Sequence, residues 1–338
     1  GMMGIGIPAY RLPREVIRRE YRRIQALGVE IHLNTSIGAD GRYSVDDLFE
    51  MGYRAVCLTV GAHKSLKLHI PGETLSNVVQ GIDLLKTLSI SQQLDDPVLK
   101  DRLSRMLVLG SDTRALVLGG GNTALDAARC LKRLGLKQVR ILYRRSRKEM
   151  PALPEEIEEA EHEGVIIQYL TAPVRIGGDE TSGVTGLECV RMKLTDPDES
   201  GRQRPVPIAG SEFLVEADLV IPAIGQVPDI GTLVDDTTIK IDSSGRIEIQ
   251  KNGFMTDRPG LFAAGDAVTR DKMAVIEAIG MGKKAAAQID AFIKGHEPVD
   301  IQTTPLPVVP RDLAASEKKT IPRVPVPTTP VTERLGGF

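Results

Sequence analysis

At 338 residues the chain exceeds what one hydrophobic core supports, so two domains are expected. Its 43 Lys and Arg nearly balance 45 Asp and Glu, and a net charge of -2 excludes a global attraction to nucleic acid or to an anionic membrane. Three widely spaced cysteines in apolar contexts, Cys57, Cys130 and Cys189, fit reduced core thiols and give the chain no metal or iron–sulfur centre of its own.

The chain opens "GMMGIGIPAYRLPREV", with glycine ahead of methionine, which marks a tag remnant or the cut end of something longer. No charged-then-apolar leader opens it and no apolar run approaches the roughly 18 to 20 residues that cross a bilayer, so a soluble, cytoplasmic protein is expected. From Pro13 to Leu27 the spacing of Val16, Ile17, Ile24 and Leu27 predicts a helix ending at Gly28. "VEIHLNTS" then alternates as a strand, and "RAVCLTVGAH" reads as a buried strand that ends in Gly61.

The densest signal is "ALVLGGGNTALDAARCLKRLG", Ala115 to Gly135. Gly119, Gly121 and Ala124 form G-x-G-x-x-A between a predicted strand, Ala115–Leu118, and a predicted helix from about Thr123 to Leu134. The first glycine allows a tight turn, the second lets the backbone approach a pyrophosphate, and Ala124 lets helix and strand pack closely. Unpaired N–H groups at the helix start supply anion binding. Gly119, Gly120, Gly121, Asn122, Thr123 and Ala124 are therefore candidate cofactor contacts.

A second strand, Gln138 to Tyr143, ends where such a fold meets the adenosine ribose. An NAD site places a carboxylate there, whereas this chain has Arg144, Arg145, Arg147 and Lys148 and no acid before Glu149. Guanidinium groups match a 2′-phosphate through paired, charge-assisted hydrogen bonds, so NADP(H) is expected, with Arg144 and Arg145 as its contacts. The competing reading is a solvated basic turn. Beyond it, turn-separated segments around Val174–Ile176 and Leu187–Leu194 predict an inserted β-meander. A buried strand "LVIPAIGQVPD" then ends in Gly225. "GLFAAGDAV" delivers Gly265 and Asp266 to another strand end before a long helix; by itself this is either a ligand edge or simple strand termination. From Pro298 the composition is that of an extended, proline-rich tail or linker. Apolar strands alternating with helices indicate an α/β fold with parallel sheets covered on both faces. The five histidines show no ligand spacing, Glu149 and Glu277 read as structural or solvated, and no acid, base or nucleophile is assigned.

In this order "GIPAYRLPREV", "LTVGAHKS…IPGE", "VLGGGNTALDAAR", "YRRSRKEMPALPEE", "AIGQVPD" and "PGLFAAGDAV…VIEAIGMGKKAA" resemble the small (beta) subunit of NADPH-dependent glutamate synthase and its relatives, including the amino-terminal half of dihydropyrimidine dehydrogenase. The resemblance implies a two-dinucleotide-binding-domain flavoprotein fold, with a Rossmann-like NADPH domain, 78–229, inserted into an FAD domain, 1–77 and 230–298. Residues 299–338 form the tail. It also implies that Asp266 hydrogen-bonds the FAD ribityl region and that amides near Ala274, Val275 and Ile276 face the flavin. Relatives carry a first βαβ unit and a cysteine-rich region ahead of "GIPxYRLP", so a fragment is expected, with an incomplete flavin domain. The implied activity is transfer of reducing equivalents from NADPH to FAD, then to iron–sulfur clusters or a large synthase or reductase subunit outside this chain. The alternative is an NADP(H)-binding fragment or interaction module without a complete flavin site.

Overall fold

The strand Arg114–Leu118 is buried on both sides, and this explains why its sequence is continuously apolar. In the computed structural model it lies at the centre of a four-stranded parallel sheet, in the order Leu219–Pro222, Arg114–Leu118, Gln138–Leu142, Ile166–Gln168. Val117 faces Ile141 on one side and Ile221 on the other. Alternation along the strand divides two cores. Ala115 and Val117 pack with Leu84, Leu88, Leu125 and Leu131 from the helices Gly81–Leu94 and Asn122–Arg133. Leu116 and Leu118 pack with Ile176, Leu187, Cys189 and Val215 of an antiparallel meander. The expected antiparallel strands form, Thr171–Asp179, Gly183–Pro197, Gln203–Pro207 and Phe213–Glu216, but the last returns to pair with Gly183–Pro197 instead of Gln203–Pro207, so the order departs from a simple meander.

The structure describes residues 1–38, 41–94, 98, 101, 110, 112–197, 201–231, 233, 239–269, 274–296 and 328–337. Backbone contacts divide the chain into two units, the one above comprising Gly1–Leu33, Gly61–Asp229 and Val331–Phe338 and the other Asn34–Val60 and Ile230–Pro330. In the second unit the strand Val56–Leu58 pairs in parallel with Leu261–Ala263. These strands pack with Val45, Ile230, Ile239 and Ile247. The helix Val275–Lys294 ends at Gly295, whose φ of 72° is the left-handed cap glycine supplies without strain. Among the described residues no helix is long and apolar enough to cross a membrane, and no group of three His, Cys, Asp or Glu could hold a metal.

Two expectations differ from what is found. "VEIHLNTS" forms no strand; Val29 and Leu33 are exposed and a turn spans Leu33–Asn34. Alternation marks a segment able to be a strand, but a strand needs a ladder of backbone bonds to a neighbour; here the Ser36 carbonyl accepts from the Arg42 N–H at 3.0 Å in a local turn, and no strand is formed. The helix Arg14–Ala26 forms as its spacing predicts, yet none of its residues is buried. In the tail, 299–327 lie outside the described residues, and Val331–Arg334 are helical instead of extended. Arg334 pairs there with Glu159, a contact no local pattern encodes.

Ile141 is fully buried between two strands and the helical core. Ile141→Ala is expected to lower stability by about 2–5 kcal/mol in chemical denaturation, and Val29→Ser by less than about 0.5 kcal/mol.

Candidate dinucleotide site

The three glycines after Leu118 have three different reasons to be glycine. Gly119 has φ of 145°, and a Cβ there would lie 2.3 Å from the Ala223 carbonyl oxygen and 3.4 Å from the Ala124 Cβ. The chain is pinned at this point because the Ala223 N–H donates to the Leu118 carbonyl (2.8 Å) and the Gly119 N–H to that of Leu142 (3.1 Å). Gly120 lies against the Tyr143 ring, 2.5 Å from where its Cβ would stand. Gly121 is different: it has φ of -91°, caps the helix Asn122–Arg133 without a side chain, and would meet nothing nearer than the Pro151 ring at 4.0 Å. The helix therefore starts beside open space, with backbone N–H groups of its first turn at that opening. Ala124 is fully buried against the strand, Asn122 is exposed, and the Thr123 hydroxyl accepts from Gln226 Nε2 at 3.4 Å.

The basic residues after Tyr143 separate by environment. Arg144 is exposed at the strand end, whereas Arg145 is 6% exposed and its Nε donates to the Gln203 carbonyl at 2.8 Å. Arg147 forks onto both carboxylate oxygens of Glu161 at 2.6 and 2.7 Å, and Lys148 is exposed. Glu149 is buried in a capping box, accepting from the Ser146 N–H and hydroxyl at 3.2 and 2.5 Å. Its carboxylate is thus structural. The Tyr143 hydroxyl donates to the Glu149 carbonyl at 2.7 Å. Burial pushes this phenol up, opposed by the charges of Arg145, Arg202 and Arg144. Arg202, on the hairpin before Gln203, was passed over by sequence reading, since a charged turn carries no local signal.

Gly61 and Gly225 both have left-handed backbone, with φ of 70° and 129°. The segments that follow them run together, Lys64–Ser65 pairing with Gln226–Val227, and the Leu66 N–H donates to the Gly225 carbonyl at 3.0 Å. In the second unit the Ala264 N–H donates to the Leu58 carbonyl at 3.1 Å, and Gly265 turns the chain with φ of 75°. The half-buried Asp266 follows in a short 3-10 turn. A Cβ on Gly265 would meet only the Ala278 methyl at 3.8 Å, so the strand end lies beside the first turn of the helix Val275–Lys294. Ala274 caps that helix with no side-chain bond, and Ala274, Val275 and Ile276 are exposed.

Behind the glycine turn the same helix carries a buried acid. Asp126 accepts from the Tyr10 hydroxyl at 3.2 Å and Arg11 at 2.9 Å, joining the "AYR" stretch to the helix over more than a hundred residues. Arg129 and Arg133 stack over the Tyr10 ring and both bond Glu163. Burial pushes the Asp126 carboxyl up to about 6, with Arg11 opposing.

Residues 7–282 match the family of pyridine nucleotide-disulphide oxidoreductases. The chain belongs to that family, whose α/β two-dinucleotide-binding fold it shares. It is 39% identical over 296 residues to the NADP(+)-dependent formate dehydrogenase subunit beta of Moorella thermoacetica, covering 87% of this chain and 39% of that protein. It is 37% identical over 295 residues to the glutamate synthase [NADPH] small chain of Azospirillum brasilense, covering 87% and 59%. The chain thus spans less than two thirds of the length of these relatives. Among solved structures, FprA of Mycobacterium tuberculosis in complex with NADPH superposes with a TM-score of 0.68 at 21% identity, covering 87% of this chain and 74% of that one. The expected glutamate synthase small-subunit resemblance and the expected fold are both borne out.

Gly119→Ala places a side chain against a backbone carbonyl at a left-handed φ, and a loss of more than about 3 kcal/mol is expected in denaturation. Gly121→Ala, with room around it, should change stability by less than about 1 kcal/mol. Asp126 ionises at 3.8 when unfolded and at about 6 when folded, so its contribution to stability is complete below about 4 and lost as pH rises through about 6. Asp126→Asn should flatten that slope in thermal melts across the same window.

Proposed function

We propose that the chain is the electron-input module of an NADPH-dependent flavin oxidoreductase of the glutamate synthase small-chain type. The observation that carries this reading is the pairing of an open helix start at Gly121 with an exposed Arg144 at the neighbouring strand end, where the next acid along the chain, Glu149, is held in a cap. The Gly121–Thr123 backbone would hold the pyrophosphate and Arg144 the 2′-phosphate, with Arg145 behind it. Gly61 and Gly225 turn the chain just ahead of the paired segments Lys64–Ser65 and Gln226–Val227. Gly265, Asp266 and the helix start at Ala274, Val275 and Ile276 would hold the flavin in the other, as an uncapped helix N-terminus beside a glycine turn suits an electron-rich ring oxygen. Nicotinamide and flavin, when bound, supply hydride transfer and its division into single electrons. The residues here bind, orient and set the local field, which is why no acid, base or nucleophile is needed.

The relatives named above are small or beta subunits, and this supports delivery of electrons to a larger partner subunit through iron–sulfur centres outside this chain. Cys57, Cys130 and Cys189 are free thiols, in keeping with work in a reducing cytoplasm. The purified chain should be yellow, absorbing at about 450 nm, and should bleach anaerobically with NADPH faster than with NADH. A colourless preparation that still binds NADPH would favour the simple NADP(H)-binding module, and one that binds neither nucleotide overturns both readings. Arg144→Ala should weaken NADPH binding by about 10- to 100-fold and NADH binding little, whereas Gly121→Ala should weaken both alike.

A further inference from the structure

The last described residues of the chain belong to the unit that carries the parallel sheet. Val331–Arg334 form a single helical turn, and the half-buried Val331, Arg334 and Leu335 share one face at i, i+3 and i+4 while Thr332 and Glu333 are exposed. One such turn has too few backbone hydrogen bonds to be stable by itself, so what it packs against holds it. That support is the ionic cluster of the helices Asn122–Arg133 and Pro154–His162. Arg334 pairs with Glu159 and lies 3.8 Å from the Glu163 Oε1, and Arg133 donates to the Gly337 carbonyl at 3.0 Å. Arg11, Arg129 and Arg133 face Asp126, Glu156, Glu159 and Glu163, so Arg334 brings the fourth cation to a set of four acids. Without it Glu159 keeps a contact with Arg129 at 3.8 Å. Insertion also has a cost: burial and the charges of Arg129 and Arg133 hold the Arg334 guanidinium below its usual range, and its buried Nε makes no hydrogen bond. Attraction to two acids is thus offset in part by desolvation and by repulsion from two arginines, which leaves the contact weak enough to exchange.

We propose that the surface between these helices is a docking site for an arginine-bearing helical turn, and that Val331–Gly337 is its ligand, bound in cis and exchangeable for the same segment in trans. The mode is that of a helix laid in a groove, with one guanidinium as anchor and Val331 and Leu335 along the same face. Arginine suits the anchor better than lysine because its forked N–H donors can address Glu159 and Glu163 together. Arg133 is the last residue of its helix, about 17 Å from Asn122 at the helical rise per residue. The dock is therefore separate from the opening at Gly121 and does not rest on the dinucleotide reading.

The test uses the full chain with Arg334→Ala, which empties the dock without shortening the chain, and a fluorescein-labelled peptide of residues 328–338. In fluorescence anisotropy the variant should bind this peptide at least about tenfold more tightly than the wild type, whose own tail competes at high effective concentration. The same peptide with Arg334→Ala should bind the variant at least about tenfold more weakly, and with Arg334→Lys at an intermediate level. Adding Glu159→Gln to the Arg334→Ala chain should weaken the unmodified peptide by a similar factor. If the variant bound both the unmodified and the alanine peptide alike, or neither, the arginine dock would be overturned, even where the variant melts at a lower temperature, because the turn would then be a fixed part of the fold. A wild type that binds the peptide as tightly as the variant would show that the tail does not occupy the site. Binding unaffected by Glu159→Gln would place the peptide elsewhere and overturn the assignment.

Discussion

The approach of the Ala223 carbonyl to Gly119 is the constraint around which the nucleotide unit is arranged. A Cβ at Gly119 would stand 2.3 Å from that oxygen, so the ends of the parallel strands can close only over a glycine. From this point Ala124 packs its helix against the strand, Tyr143 closes over Gly120, and the open side is left at Gly121 alone. Burial on both faces of the sheet makes this turn rigid, since neither the helical layer nor the meander can move without opening a core. An anion site built from backbone N–H groups depends on that rigidity, because amides position charge only as well as the backbone is held.

Charge around the site is arranged by assignment of carboxylates. Glu149 is turned inward by a capping box and Glu161 is matched by Arg147, while Arg114, at the opposite end of the central strand, is paired with Asp218 and Glu216. Glu149 and Glu161 are thus both engaged close to the basic turn that follows Tyr143. In the proposed reading, such a strand end would tell apart dinucleotides that differ only by one phosphate.

The ionic cluster of Tyr10, Arg11, Asp126, Arg129, Arg133 and Glu163 ties the amino-terminal "AYR" stretch to the helix that starts at the glycine turn. Burying charges is unfavourable unless they are matched and hydrogen-bonded; here the cation-on-ring stacking over Tyr10 and two guanidinium bonds to the Glu163 Oε1 provide part of the match, while Glu163 Oε2, Arg129 Nε and Arg133 Nε are buried without a hydrogen bond. The cluster also orients the helix without touching its open end. Positioning and binding are therefore divided between two ends of one element.

Much of this was legible in the sequence because it is local. The glycine turn, its flanking strand and helix, the basic strand end and the meander each depend on spacing within about a dozen residues, and all of those elements form. Which of the arginines faces outward was not legible: Arg144 and Arg145 are neighbours of identical chemistry, and the Gln203 carbonyl that holds Arg145 inward is brought in by a hairpin 58 residues away. Arg202 and the Tyr10–Asp126 bond share that cause, since partners separated by most of a domain leave no periodicity to read. "VEIHLNTS" shows the converse. Its alternation states what the segment is able to pair with, but a strand exists only where a neighbour supplies the hydrogen bonds, and that is decided by tertiary structure.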